Sequence, residues 1–182
     1  MSKALLEMLR ARFPDGIRET YSFRGDDVAI IDPAKTVEIC NFLKYDPAAD
    51  MKLLLSVTAV DYLGETPRFE VVTHMTSLTH HHRLRLRMRA PSDEAPAVPS
   101  IANLWRGANW WERQIWDLYG IKFEGHPDLR RLYMPEDWKG HPLRKDYPTK
   151  LRQPIVPERG IKDLIRGPGP HPGTARLPVI KN

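Results

Sequence analysis

Two stretches of this chain have residue types and spacing that suggest chemistry: "GHPDLRR", beginning at Gly125, and "GHPLRKD", beginning at Gly140. In each, the glycine permits an unusual backbone angle and the proline fixes the next one, so the histidine is held on a turn. His126 and His141 have Asp128 and Asp146 nearby, the residue types of acid–base catalysis or metal binding. The same stretches carry Arg130, Arg131, Arg144 and Lys145, the makings of a docking surface. The spacing of the two histidines fits no common zinc pattern, and no cysteine is near. Neither a nucleophile nor a glycine-rich phosphate loop accompanies them. What these residues support best is a set of charge-assisted hydrogen bonds that lock irregular chain together or lock it to a partner.

The element that must position these turns precedes them. "NWWERQIWDLYG" (Asn109–Gly120) reads as one helix, with Asn109 and Glu112 as a capping box and Gly120 as its stop. Trp111, Ile115 and Leu118 form the stripe expected to be buried. Glu112, Arg113 and Asp117 fall away from that stripe. Arg113 and Asp117 stand i, i+4, which makes them either a surface ion pair or a charged ridge that meets the loop after the helix.

Further upstream, residues 2–13 fit a short helix with Leu5, Leu9 and Phe13 on one face, Ser2 as cap and Pro14 beyond. "IRETYSF" and "VAII" read as a hairpin joined by "RGDD". Arg24-Gly25-Asp26 resembles a cell-adhesion tripeptide, but here it reads as a turn. Asp32-Pro33 opens a second helix running to about Tyr45. Three strands follow. The first places Leu53, Leu55, Val57 and Ala59 on one face. The second is "RFEVVTHMTSL". The third alternates Leu84, Leu86 and Met88 with Arg83, Arg85, Arg87 and Arg89, apolar in and arginine out. That outer stripe is read as a solvated or docking face. His80 and His82 share a face at the start of this strand, but two histidines need further zinc ligands and none is evident.

The order helix, two strands, helix, three strands, helix defines an α+β fold: a two-layer domain with a mixed sheet of about five strands over residues 1–120. Residues 121–150 form the loop with the two Gly-His-Pro units. Residues 151–182 are a Pro/Gly-rich arm whose apolar residues, among them Ile155, Leu164 and Val179, favour wrapping a partner.

Composition narrows the function further. At 41% hydrophobic residues the chain can fill a core, and it has no apolar run of the ~20 residues a membrane helix needs. No signal-peptide core opens it, which predicts a cytoplasmic start. The net charge is +5, and residues 151–182 carry +4 of it, so the remainder is nearly neutral and not shaped around nucleic acid. Cys40 is the only cysteine. It forms no internal disulfide and supplies too few thiolates for an iron–sulfur cluster; among Val37, Ile39 and Leu43 it reads as a buried structural thiol.

"ERQIWDLYGIKFEGHPDLRRL" followed by "GHPLRKDYP" resembles the signature of the 30-kDa subunit of respiratory complex I, in bacteria the C-type subunit of NADH-quinone oxidoreductase. "GANWWER" and the "HRLRL" strand also resemble that family, firmly over residues 50–150. Gln114 departs from it, since the family usually has glutamate there. The resemblance implies a subunit without redox cofactors of its own. It implies a place in the peripheral arm, on the cytoplasmic side of the inner membrane, beside the 49-kDa-type (D-type) subunit. The assembly would pass electrons from NADH through FMN and iron–sulfur clusters to quinone and couple this to proton translocation. Related subunits occur in membrane-bound hydrogenases, F420H2 dehydrogenases and photosynthetic complex I. On this reading Glu112, Arg113, Asp117, His126, Asp128, Arg130, Arg131, His141, Arg144, Lys145 and Asp146 serve partner docking, with no catalytic or metal role. A basic RNA-binding module, and a small hydrolase using His126 or His141, are the readings from other classes.

Overall fold

The computed structural model describes residues 2–150. In chain order the elements are α1 (Ser2–Arg12), β1 (Ile17–Phe23), β2 (Asp26–Ile31), α2 (Thr36–Tyr45), β3 (Leu53–Asp61), β4 (Phe69–Thr76), β5 (Arg83–Arg89), β6 (Ala97–Pro99), α3 (Ala108–Tyr119) and β7 (Lys122–Glu124). The α+β class, the five-stranded mixed sheet and the three helices are as the sequence predicts.

The main sheet runs β1-β2-β5-β4-β3. β1 and β2 form the expected antiparallel hairpin, turning at Arg24 and Gly25, both with positive φ. β5 then enters beside β2 in parallel, which requires a long crossover. α2, β3 and β4 supply it. Asp32 does cap the next element, accepting from the Ala34 N–H at 2.9 Å, but the first turn is a 3-10 turn (Pro33–Lys35) before α2 begins.

All three helices contribute to one apolar core. Leu5 and Leu9 of α1, Ile39 and Leu43 of α2 and Ile115 of α3 meet Ala29, Val71, Met75, Leu84, Leu86 and Met88 of the sheet. Cys40 is buried in the same core, which pushes its thiol up to about 12. It is therefore an unreactive neutral group near pH 7.

Three local expectations change. In β3 the pairing register shifts between Leu54 and Ser56. The extra residue flips the strand, so Leu53 and Leu55 stand outward at 40% and 45% exposure while Leu54 packs on the core. The stretch 90–100 is not all loop, because β6 pairs in parallel with β7 and forms a second, two-stranded sheet. Regular structure thus continues past Gly120. The compact unit likewise runs to Tyr147 rather than ending at Gly120. The arm read over residues 151–182 lies outside the described residues.

Three of the four arginines on β5 are tied down, and Arg83 alone stays exposed. Arg87 pairs with Glu70 at 2.6 Å and donates to the Tyr21 hydroxyl at 2.5 Å. Arg89 pairs with Glu65 and Glu70, at 2.9 Å and 3.0 Å, and stacks over the Tyr62 ring. Arg85 pairs with Asp26 at 3.3 Å and donates to His74. The residues that answer these arginines lie on other strands and on the β3–β4 connection, where a reading of β5 alone does not reach.

Candidate functional site: a buried charged helix face and two turns

α3 inverts the expected pattern. Glu112 and Asp117 are fully buried and Arg113 nearly so, whereas Trp111 is 36% exposed and Leu118 half-buried. Ile115 is buried as expected. The capping box does not form. Gly107 caps the helix without a side-chain bond, and Glu112 instead accepts from the Ser100 hydroxyl at 2.5 Å and the Ile101 N–H at 2.8 Å. Gly120 does end the helix, in the left-handed conformation (φ 74°).

Each charge on this face has a backbone task. Arg113 and Asp117 do not pair with one another. Arg113 donates to the carbonyls of Arg130 and Arg131 at 3.2 Å and 3.0 Å. Asp117 accepts from the N–H groups of Leu132, Tyr133 and Met134 at 3.0, 2.8 and 2.9 Å, and from Arg131 at 2.7 Å. Burial alone would raise the Asp117 carboxyl, but these four donors outweigh it and hold its pKa below the usual range. Glu112 has fewer donors. Burial dominates there and raises it to about 7. The charged ridge therefore meets the loop after the helix, as one of the two sequence readings had it.

The two turns dock at opposite ends of α3. His126 accepts from the Asp128 N–H at Nδ1 (3.0 Å), so its Nε2 carries the proton and donates to the Asn109 carbonyl at 3.2 Å. Its Nε2 also lies 4.0 Å from Glu112. His141 donates from Nδ1 to the Asp117 carbonyl at 2.9 Å, and burial lowers its pKa, keeping it neutral. Arg144 donates to the Tyr119 carbonyl at 2.6 Å and stacks over Phe69 at 4.9 Å.

Two residues absent from the sequence reading, Asp61 and Arg68, complete the site. Arg68 makes paired bonds to Asp61 (both 2.7 Å) and to Asp146 (2.7 and 3.1 Å). Asp61 also accepts from the Lys145 N–H at 2.8 Å. Arg68 chiefly, and Lys145 after it, hold the Asp61 carboxyl low against its burial. Ser100 is the third unanticipated member, through Glu112. The one sequence signal for this group was a pair of opposite charges flanking the β3–β4 turn, Asp61 at the end of β3 and Arg68 just before β4.

The structure thus brings together the side chains of eight of the eleven residues singled out from the sequence, while Asp128, Arg130 and Lys145 join through their backbone alone. The Arg130 and Asp128 side chains stay at the periphery and pair only with each other, at 2.9 Å, both more than half exposed. Among the described residues no three His, Cys, Asp or Glu side chains come together to hold a metal. His80 and His82 stack at 5.4 Å and bond the carbonyls of Pro47 and Ala49, so they fasten a loop. Chemically, the site fixes about twenty residues of irregular backbone on one helix.

Fold and site together define an α+β scaffold that carries an internally locked, aromatic-rich segment on its last helix. The family described as respiratory-chain NADH dehydrogenase, 30 Kd subunit, matches residues 29–153, and the chain belongs to it. It is 47% identical to the NADH-quinone oxidoreductase C subunit of Roseiflexus sp. (strain RS-1), over 79% of this chain and 82% of that protein. It is 40% identical to the corresponding NADH-quinone oxidoreductase subunit of Geobacter metallireducens over 93% of both. Among solved structures, a trypsin-resistant fragment of Nqo5 superposes with a TM-score of 0.58 at 29% identity, covering 70% of this chain and 98% of the fragment. A chain of an archaeal membrane-bound sulfane sulfur reductase shares the fold, with a TM-score of 0.66 at 22% identity, covering 81% of this chain and 86% of that one.

Proposed function

We propose that the chain is the 30-kDa-type component of a complex I-type NADH-quinone oxidoreductase, and that its own role is assembly rather than redox chemistry. The observation that carries this reading is the use made of the charges on α3. Asp117, Arg113 and Arg131 are satisfied by their own chain. None of these three is a free base beside a nucleophile, and Glu112 is engaged by the Ser100 hydroxyl and the Ile101 N–H within the same fold. What remains outward is a rim of Trp110 (59% exposed), Tyr133 (59%) and Leu143 (49%), with the exposed Arg130 and Lys145. Aromatic and arginine side chains presented on rigid backbone are the composition of a protein–protein hot spot.

The partner that fits is the 49-kDa-type neighbour in the peripheral arm, with residues 151–182 as a second contact. FMN and the iron–sulfur clusters then belong to partner subunits, and the chain reaches the cytoplasmic face of the membrane only through the assembly. No helix among the described residues is long and apolar enough to cross a membrane. Affinity purification of the tagged chain from its native membranes tests the reading. The 49-kDa-type neighbour, flavin and cluster absorbance should co-purify in constant ratio. A chain that purifies alone, or that is redox-active when alone, would overturn it.

A further inference from the structure

Of the four arginines on β5, Arg83 is the one that no carboxylate among the described residues answers. Arg85, Arg87 and Arg89 each have a carboxylate partner, as described above. Arg83, one step earlier in the same alternation, is exposed and has no ion-pair or hydrogen-bonding partner for its side chain among the described residues. Asp26, a carboxylate in the lining of the same cavity, pairs with Arg85.

Its surroundings are equally specific. The register sets Arg83 opposite Thr76 and Thr76 opposite Leu53, so the three stand in a row across β5, β4 and β3. β3 is the edge strand, and its bulge turns Leu53 and Leu55 outward. A cavity of about 320 Å³ opens here, lined by Leu55, Ser56, His74, Arg83 and Arg85 among others. His74 accepts from Arg85 at Nε2, so its Nδ1–H is left to the Ser56 hydroxyl at 3.2 Å. Burial first, and the Arg85 charge after it, lower the His74 pKa and keep the ring neutral. The cavity therefore presents, beside the exposed Leu55, one guanidinium that no described residue answers, with Leu53 in the same cross-strand row.

We propose that this corner is a second docking site, filled by an acidic–apolar segment of another protein subunit. An aspartate or glutamate of that segment pairs with Arg83, and an adjacent apolar side chain covers Leu53 and Leu55. Charge complementarity selects the carboxylate. The leucines, and the Asp26 carboxylate at the rim, disfavour a phosphate backbone. A planar guanidinium that no described residue holds is available for two-pronged pairing with a carboxylate. The proposal rests on reading the chain as a subunit of a larger assembly, and it concerns a surface separate from the α3 rim.

Arg83→Glu and Arg83→Lys are introduced into the full chain in its native membranes, and assembled complex is quantified beside the melting temperature of the purified variant. Arg83→Glu should reduce assembled complex about tenfold, the scale of one like-charge clash at an interface. It should leave the melting temperature unchanged, and Arg83→Lys should retain most of the assembly. A photo-crosslinker at Leu55 should mark a peptide of a known subunit with Asp or Glu within a few residues of the link. Normal assembly of Arg83→Glu, a marked peptide without a carboxylate, or a link to RNA would each overturn the proposal. Failure of the parent chain itself to join a complex would instead defeat the subunit reading.

Discussion

The two Gly-His-Pro turns share a motif and differ in how they spend it. Around the first, His126 is tied to the start of α3 and Arg131 to Asp117, while Asp128 and Arg130 face outward and pair only with each other. Around the second, His141 and Arg144 turn inward, to the Asp117 and Tyr119 carbonyls, and the half-exposed Asp146 is held by Arg68. The motif sets the backbone, since Gly125 and Gly140 both take positive φ. What surrounds each turn decides whether its charges are structural or free. The first turn has one helix to lean on. The second also has the end of the β3–β4 hairpin, where Asp61 and Arg68 stand ready.

Asp117 is the point both turns share, and its removal should have the largest effect. Asp117→Ala leaves three N–H groups and the Arg131 guanidinium without their acceptor inside the fold. The loss should be about 3–5 kcal/mol, read by urea unfolding. Because the native carboxyl has a lowered pKa, its contribution is present above the unfolded value of 3.8 and fades as the pH falls below it. The difference between parent and variant should therefore shrink in acid. A difference that stays constant down to strong acid would show that Asp117 acts without its charge.

Glu112 gives the opposite sign on the same helix. A carboxyl raised from 4.5 to about 7 contributes stability that is full below 4.5 and is lost as the pH climbs through 7. The swing is about 3 kcal/mol, since a tenfold change in a protonation equilibrium is worth about 1.4 kcal/mol. Glu112→Gln carries no charge; its one amide oxygen still accepts from the Ile101 N–H, and its NH2 group faces the Ser100 hydroxyl as a donor. Stability curves of parent and variant should diverge between pH 4.5 and about 7, with the variant gaining on the parent as pH rises. Parallel curves would place the carboxyl in a wetter setting than the fold indicates.

Gly120 guards the second turn only. A Cβ there would lie 2.5 Å from the His141 ring and 2.7 Å from the Arg144 guanidinium, on backbone with φ 74°. Gly120→Ala should cost about 1–3 kcal/mol, from left-handed strain together with displacement of those two side chains. Hydrogen exchange should rise in residues 141–147 and stay unchanged in 126–134. Equal loosening of both segments would mean that the turns are one cooperative unit.

The sheet and its order of elements were legible in the sequence because apolar periodicity reports burial directly: Leu84, Leu86 and Met88 point where alternation puts them. The direction of α3 was not legible. Periodicity ranks residues by polarity, so it assigned Trp111 to the core and Glu112 and Asp117 to water. Loop donors, which come from far along the chain, reverse that assignment. The arginines of β5 failed in the same way. Their type was plain, but whether each was free depended on Glu70, Glu65 and Asp26. The bulge in β3 left no mark in composition, since Leu53, Leu54 and Leu55 are alike. The role of the two turns as rigid attachments was legible, because Gly and Pro act on their own backbone.

The smallest effect on the fold, and the sharpest separation of the two turns, should come from a matched pair of arginine substitutions. Arg144 donates to a helix-end carbonyl and lies over Phe69, half-buried, so Arg144→Ala should lower stability by about 1–3 kcal/mol. That is about 2–12 °C in melting temperature for a domain of this size. Arg130 is 70% exposed and meets only an exposed aspartate, so Arg130→Ala should leave the melting temperature where it is. If the first turn keeps its charges for a partner, Arg130→Ala should nonetheless lower the amount of assembled complex, with turnover per assembled complex kept. Arg144→Ala should lower both stability and assembly, the second through the first. Complex abundance, turnover and melting temperature measured on the same preparations decide it. Normal abundance with lost turnover for Arg130→Ala would mean that the first turn takes part in the reaction. Normal abundance and normal turnover would mean that its outward charges serve solubility alone.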